Sequence, residues 1–292
     1  MEQETPAWSR RQLLAAVAMS SLGRAKGSVV NEPKGDIHRG SDRKRRVFTF
    51  DAQVSRDGQQ SVTVPVSIDA AKTVIIVCDM QNDFSTKGGM FDRAGIDITM
   101  IQRAVGPTAR VLASARRAGV KIVYLKMGFR PDLSDLGASD SVNRIRHLEG
   151  FKVGQTIRAP DGRESRILIR DSWGTDIVPE LKPQPEDVVV FKHRFSGFYE
   201  TELDATLKRL EVKHLIFTGC TTSVCVESTI RDAMFRDYLP VLLADCTGEP
   251  IGYHFPRSNH QASLLSIETL LGWVSGSEQF VKALEGEWLA HR

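Results

Sequence analysis

Five short runs of apolar, mostly β-branched residues recur along the chain and predict buried β-strands. They lie at residues 73–78, 120–125, 188–191, 214–218 and 240–244. Segments with apolar residues at helical spacing separate most of these runs, at residues 97–118, 200–210, 225–236 and 258–271. Because strands that alternate with helices build βαβ units, this pattern predicts an α/β fold with a parallel sheet covered on both faces.

Two further segments, residues 47–50 and 62–66, alternate between apolar and polar positions as partly exposed strands do. Pro65 favours an edge position for the second one, because proline cannot donate a hydrogen bond to a neighbouring strand. A long polar stretch at about residues 128–180 carries only weak signals of regular structure. Since loops of this length in compact domains usually shape a site, we expect its variable part, residues 130–170, to cover a pocket.

The excess of positive charge in this chain lies in its first 46 residues. Residues 1–46 contain ten of the 39 basic residues and only five of the 36 acidic ones, so the body is slightly acidic although the formal net charge is +3. No segment reaches the roughly 20 apolar residues that cross a bilayer. We therefore predict a basic leader and linker at residues 1–46 and one domain at residues 47–292, with neither a nucleic-acid surface nor a membrane span.

The leader carries Arg10 and Arg11 ahead of a short apolar stretch at residues 13–19. A paired arginine in this position resembles a twin-arginine export signal, which predicts a periplasmic or secreted protein. A basic tail without a targeting role, and hence a cytoplasmic protein, is the alternative.

Three chemically distinct groups follow the ends of predicted strands. Asp79 comes after the first buried run, Lys192 after the third, and a turn that leads to Cys225 after the fourth. In parallel α/β sheets, ligands bind outside the carboxyl ends of the strands, so these groups are expected to meet at one edge. Taken singly, each has a structural interpretation: a buried core cysteine, a turn-forming aspartate and a solvated lysine.

Together the three groups suit nucleophilic catalysis. A thiol in the first turn of a helix lies at the positive end of the helix dipole, and a nearby ammonium adds to this effect, so we predict a lowered pKa for Cys225. Lys192 can supply that charge, and Asp79 can take the thiol proton and return it to a leaving amine. The turn before Cys225 can direct backbone N–H groups at a developing oxyanion.

Three ordered motifs resemble those of the isochorismatase-like cysteine hydrolases. Residues 77–84 read VCDMQNDF, residues 192–198 read KHRFSGF and residues 218–229 read TGCTTSVCVEST. The resemblance runs from about residue 62 to 285, and within the family it is strongest to the ureidoacrylate amidohydrolases. It implies a three-layer, doubly wound, Rossmann-like fold around a six-stranded parallel sheet.

The resemblance also implies roles for individual residues. It assigns a catalytic triad to Cys225, Lys192 and Asp79, and an oxyanion hole to the backbone amides of Thr221 and Cys225, with a cis peptide bond between Cys220 and Thr221. We further expect three side chains to contact the substrate: Phe84, Lys126 and Phe198.

The function implied is hydrolysis of a carbon–nitrogen bond in a small ureido, carbamoyl or amide substrate by a homo-oligomer. Relatives that bind a metal use an Asp-x-His pattern, and no histidine of residues 47–292 lies in one, so we predict no metal and no cofactor. Lys126 and Met127 replace a polar pair of the ureidoacrylate enzymes, so the substrate stays open. The rival hypothesis is a non-catalytic binding or scaffold protein of this fold, with an inert Cys225 and with Asp79 and Lys192 in a structural ion pair.

Overall fold

The computed structural model describes residues 46–290 and, within its last helix, side chains as far as residue 286. The leader, with its arginine pair, lies outside the described residues apart from Arg46. An eight-stranded sheet dominates this part of the chain, and its strands are β1 Val47–Ser55, β2 Ser61–Asp69, β3 Thr73–Cys78, β4 Lys121–Met127, β7 Val188–Lys192, β8 His214–Cys220, β9 Leu239–Gly248 and β10 Trp273–Ser275. A separate small hairpin contains β5 Thr156–Arg158 and β6 Glu164–Arg166.

The α-helices connect these strands and cover them. In chain order they are α1 Asn82–Ser85, α2 Met90–Arg93, α3 Thr99–Ala118, α4 Val142–Ile145, α5 Leu203–Arg209, α6 Glu227–Met234, α7 Asn259–Ser266 and α8 Ser277–Ala290. As the sequence predicts, α3 ends at Gly119, whose left-handed φ of 76° closes the helix. Among the residues that the structure describes, no helix is both long and apolar enough to cross a membrane.

The sheet has the strand order β2-β1-β10-β9-β8-β3-β4-β7. Its six strands from β10 to β7 are all parallel, which confirms the predicted α/β fold with a six-stranded parallel sheet. The β1–β2 hairpin extends the sheet to eight strands by antiparallel pairing of β1 with β10. Pro65 lies on β2, at the edge, as expected.

Two apolar cores lie on opposite faces of the sheet. Along β3, Ile75 and Val77 pack into the core beneath α3 and α8, whereas Val74 and Ile76 pack into the core beneath α5 and α6. All four side chains are fully buried, so the continuous apolar run of β3 reflects a strand with helices on both sides.

Two parts of the structure contain regular elements that the sequence did not predict. The stretch around Trp273 forms β10, which pairs with β9 and joins the parallel sheet to the hairpin, so it belongs to the sheet. The stretch at residues 128–180 is largely irregular, but it contains α4 and the β5–β6 hairpin. Three-residue strands offer too short a pattern to be recognised from residue types alone.

Candidate active site

Asp79 and Lys192 form a buried ion pair where β3 and β7 end. The Lys192 ammonium Nζ lies 2.7 Å from Asp79 Oδ2, and both side chains are at most 1% exposed. Nζ also donates to the Arg194 carbonyl at 3.2 Å, and Asp79 Oδ1 accepts from the Met127 amide at 2.9 Å. Asp79 has a φ of 52°, a conformation that a non-glycine residue adopts at a cost and that is frequent at functional sites. The pair therefore has a fixed position at the carboxyl edge of the sheet.

Cys225 lies in the turn that follows β8. The chain passes through a cis peptide bond between Cys220 and Thr221, as the resemblance implies, and enters a π-helical turn, Thr222–Val226. The Thr221 carbonyl accepts from the amides of Val224 and Val226, which holds this turn against the end of β8. The Cys225 thiol is close enough to Asp79 and Lys192 for both charged groups to shift its pKa, and it lines the same cavity as Asp79. The three predicted catalytic residues thus meet at one point.

The charges of the three groups are coupled. Burial raises the pKa of the Cys225 thiol to about 12, the Lys192 ammonium opposes this increase and the Asp79 carboxylate adds to it. For Lys192, burial lowers the pKa, but the charges of Asp79 and the neighbouring thiols outweigh it and raise the pKa above its usual range. At neutral pH the site therefore holds a neutral thiol beside an ammonium.

The predicted lowering of the Cys225 pKa is wrong, because the pKa is raised. The sequence indicated a helix start and a nearby ammonium, both of which favour thiolate. It did not indicate that the thiol would be 7% exposed or that the carboxylate would already be paired with the ammonium. Desolvation and the negative charge of Asp79 therefore exceed the stabilisation that Lys192 provides.

A cavity of about 220 Å³ opens beside Asp79 and Cys225. Its lining comprises Asp79, Phe84, Met90, Phe91, Met127, His147, Phe151, Leu168, Phe195, Cys220, Thr221, Val224, Cys225 and Ile251. This volume is below the roughly 300–1,000 Å³ of pockets for drug-sized ligands, so it suits a small molecule. Thr221 and Cys225, whose amides are the predicted oxyanion donors, both line it.

The three predicted substrate contacts have different outcomes. Phe84 lines the cavity and packs edge-on against Phe91, with ring centroids 5.0 Å apart. Lys126 does not line it: its ammonium lies 4.8 Å from the ring of Phe191, its register partner on β7, and the residue faces a different cleft. The structure therefore does not bring Lys126 to the cavity that Cys225 lines.

Phe198 does not line the cavity either. It belongs to the core beneath α5 and α6, is 6% exposed and stacks on Tyr238 at 6.0 Å. The Arg236 guanidinium lies over the same ring at 4.8 Å. The structure therefore places Phe198 in the apolar core and not in the wall of the cavity.

The sequence did not single out most of the cavity wall. His147, Phe151 and Leu168 come from the stretch at residues 130–170, which confirms that this stretch covers the pocket. His147 and Phe151 are four residues apart, the spacing that places side chains on one face of a helical turn, and this was the available signal. Phe195 and Val224 lie within the quoted motifs, next to residues that were assigned a role.

Gln81 is a further residue without an assigned role in the sequence. Its side-chain Oε1 accepts from the Met127 amide at 2.7 Å, and its Nε2 donates to the Met127 carbonyl at 2.8 Å. Asp79 bonds to the same amide, so both side chains of this motif fix the end of β4 beside the cavity.

Comparisons with known proteins agree with this geometry. The isochorismatase domain family matches residues 73–279. The ureidoacrylate amidohydrolase RutB of Methylorubrum extorquens is 39% identical over 223 residues, which are 76% of this chain and 87% of that protein. The protein of the same name from Serratia proteamaculans is 35% identical over 235 residues, which are 79% of this chain and 92% of the relative.

A solved structure shares the fold. The cysteine hydrolase from Pseudomonas syringae pv. phaseolicola superposes with a TM-score of 0.62 at 27% identity, and the alignment covers 75% of this chain and 95% of that one. The family match at residues 73–279 includes all six parallel strands and the turn that carries Cys225.

Proposed function

This chain belongs to the isochorismatase family, and from this premise we infer that it is an amidohydrolase that cleaves a non-peptide carbon–nitrogen bond of a small substrate, with Cys225 as nucleophile. The observation that carries the inference is the meeting of Cys225 with the Asp79–Lys192 pair at the base of a small cavity. The relatives are named for ureidoacrylate, which makes ureido, carbamoyl and simple amide compounds the first substrates to test.

The proposed reaction begins with a neutral thiol. As Cys225 Sγ attacks the carbonyl carbon, Asp79 takes the thiol proton, and the Lys192 ammonium stabilises the negative charge shared by sulfur and carboxylate. The amides of Thr221 and Cys225 donate to the tetrahedral oxyanion. Asp79 then returns the proton to the leaving nitrogen, and a thioester or thiocarbamate remains on Cys225.

Water completes the cycle. Asp79, again a carboxylate, takes a proton from water as the water oxygen attacks the acyl carbon, and the thiol regains its proton when the carbon–sulfur bond breaks. The high pKa of the resting thiol is compatible with this sequence, because the proton leaves during the attack and not before it.

A non-catalytic scaffold is the second candidate. A buried Asp79–Lys192 pair and a thiol with a raised pKa are also what that hypothesis predicts, so the static geometry alone does not separate the two. The amidohydrolase relatives favour the enzyme.

Ammonia release from a panel of ureido acids, carbamoyl amino acids, biuret and simple amides tests the proposal. We expect turnover of at least one compound by the wild type and by Cys246→Ala, because Cys246 is buried on β9 and does not line the cavity. Cys225→Ala is expected to release none. Absence of ammonia from the whole panel would favour the scaffold, whereas equal turnover by Cys225→Ala and the wild type would exclude Cys225 as the nucleophile.

A further inference from the structure

We propose that the cavity selects an uncharged substrate with an apolar substituent and discriminates against carboxylates, an inference that rests on the proposed function. The relatives are named for an acrylate, which is an anion at neutral pH, so this would be a change of substrate class within a shared reaction.

The composition of the cavity wall is the first argument. Nine of its side chains are apolar or aromatic and lie above the catalytic groups: Phe84, Met90, Phe91, Met127, Phe151, Leu168, Phe195, Val224 and Ile251. Neither lysine nor arginine is among the described residues that line it. Lys126, which the sequence predicted as a substrate contact, lies over Phe191 and faces another cleft. A carboxylate that entered would exchange water for hydrocarbon without gaining a counter-charge.

Fixed negative charge behind the wall is the second argument. Asp83 is fully buried, and its two oxygens accept from the amides of Met90 and Leu168, at 3.1 Å and 2.8 Å. Both of these residues line the cavity. Burial raises the pKa of Asp83 to about 6, so it is a carboxylate at neutral pH. Arg93 is the cation that acts on it, and this side chain is held outside by bonds to backbone carbonyls.

Glu249 adds a second buried carboxyl group, bonded to the amide of Ile251 in the cavity wall. It is 1% exposed, and it accepts from the Ser223 amide at 2.6 Å and from the Ile251 amide at 2.9 Å. Together with Asp79, three carboxylates lie beside the cavity, and the Lys192 ammonium pairs with one of them. Arg194, whose charge also acts on His147, donates to the carbonyls of Asp135 and His193 and to none of these carboxylates. The cavity is therefore unfavourable for an anion.

His147 is a polar side chain in the wall of the cavity, and its imidazole ring is neutral. Its Nδ1 donates to the Asn143 carbonyl at 2.7 Å, and burial lowers the pKa of the ring. The ring packs between Phe129 and Phe195, with centroids 5.1 Å and 6.1 Å away. With the proton on Nδ1, Nε2 is an acceptor, which suits an N–H or O–H of a neutral substrate and not a carboxylate.

A matched pair of substrates tests the proposal: 3-ureidopropionate and its methyl ester, which differ in the charge at one end. We expect a kcat/KM for the ester that is higher by about tenfold or more, the usual scale for placing like charges together. An equal or higher kcat/KM for the carboxylate would overturn the inference while leaving the amidohydrolase intact. If the enzyme hydrolyses neither compound, the binding measurement described below decides whether the cavity prefers the ester.

Two variants make the test specific for charge. Ile251 lines the mouth of the cavity and is 44% exposed, so it can accept a longer side chain. Ile251→Lys is expected to raise the relative kcat/KM for the carboxylate, and Ile251→Met, of similar length but uncharged, is not. An equal effect of both variants would contradict an electrostatic cause.

Binding to Cys225→Ala, measured by calorimetry, gives a result that does not depend on turnover. We expect tighter binding of the ester than of the carboxylate. Tighter binding of the carboxylate, or no binding of the ester, would overturn the proposed selectivity, and a selectively bound ester that the wild type never hydrolyses would contradict the proposed function.

Discussion

The Lys192 ammonium has an unusual environment for a lysine. It is fully buried, lies 2.7 Å from Asp79 and also contacts the Met127 sulfur at 3.7 Å. Removing one partner of such a pair typically costs about 3–5 kcal/mol, because the other charge stays buried without compensation. The pair therefore positions the site and stabilises the fold at the same time.

Replacing Asp79 by asparagine separates two effects of its carboxylate on Cys225, the shift of the thiol pKa and the acceptance of the thiol proton. Because the Asp79 carboxylate helps to raise the pKa of Cys225 and Lys192 lowers it, Asp79→Asn should lower the pKa of the thiol. Turnover should nevertheless fall by about 100-fold or more, since the base is lost. Ultraviolet absorbance of the thiolate against pH measures the first effect, with Asp79→Asn/Cys225→Ala as the blank. An unchanged or higher thiol pKa in a folded Asp79→Asn protein would contradict the assignment.

Asp83 predicts a pH dependence of stability. Burial raises its pKa from 3.8 to about 6, so the folded state binds this proton more tightly than the unfolded state. The stability that the protonated carboxyl contributes is complete below about pH 4 and is lost as the pH rises through about 6. The free energy of unfolding of the wild type, minus that of Asp83→Asn, should therefore decrease over this window and stay constant above it.

Urea unfolding at a series of pH values measures this difference. Asp57→Asn is the control: hydrogen bonds from the amides of Gln59 and Gln60 lower the pKa of this exposed carboxyl, so any change should have the opposite sign. The same slope for both variants would show that burial of Asp83 is not the cause.

At the scale of residues, the sequence could predict which reactive groups lie at the ends of the strands. It could not predict the direction in which other side chains point. Asp79, Lys192 and Cys225 follow buried strands, and the rule that parallel strands share one functional edge brings them together. Lys126 lies near the end of β4 and Phe198 follows β7, but their orientations depend on Phe191 and Tyr238. Those partners become neighbours only when the sheet and the helices have packed.

At the scale of elements, the junction of β8 with the nucleophile turn depends on Gly219. Its φ is 114°, and a Cβ at this position would lie 1.9 Å from the Cys78 carbonyl oxygen on β3. A side chain would thus push β3 and β8 apart next to Asp79 and Cys225. Glycine is required here for both conformation and space.

Gly219→Ala should destabilise the protein by roughly 3 kcal/mol or more, because an unfavourable φ is combined with a backbone clash. Gly58→Ala is the matched control: its φ is 71°, but no atom lies within 4 Å of the added Cβ. There the loss should be roughly 1 kcal/mol, from conformation alone. Urea midpoints of the two variants provide the comparison, and similar losses would mean that the close contact with Cys78 relaxes easily.

The elements differ in how well residue types predict them. β3 is found at residues 73–78 as predicted, because burial on both faces leaves a continuous apolar run. β10 has three residues, and its place next to β1 follows from tertiary contacts that no local pattern contains. The stretch at residues 130–170 contributes His147, Phe151 and Leu168 to the cavity through bonds such as that between Asp83 and the Leu168 amide, which are long-range.

At the scale of the whole molecule, the described residues contain both cores, the sheet and the cavity. We propose that residues 1–46, which the structure describes only from Arg46 on, act as an export leader. The arginine pair is the basis for this proposal. Its function would then be separate from that of the catalytic body.

Replacing Arg10 and Arg11 together by lysine should abolish export of a reporter fused to residues 1–46, because twin-arginine signals depend on the arginine pair. Arg24→Lys, outside the pair, is the control and should leave export intact. The fraction of reporter in the periplasm measures the effect. Equal export by the paired-lysine variant and the wild type would exclude a twin-arginine signal.

The central claim concerns a covalent bond to one sulfur atom. Mass spectrometry of the intact protein, quenched with acid during turnover of an active amide or ureide, tests it most directly. We predict a mass increase equal to the acyl or carbamoyl group on the peptide that contains Cys225, and neither adduct nor turnover in Cys225→Ala. An adduct on Cys78, Cys220 or Cys246 instead, or full turnover by Cys225→Ala, would contradict it.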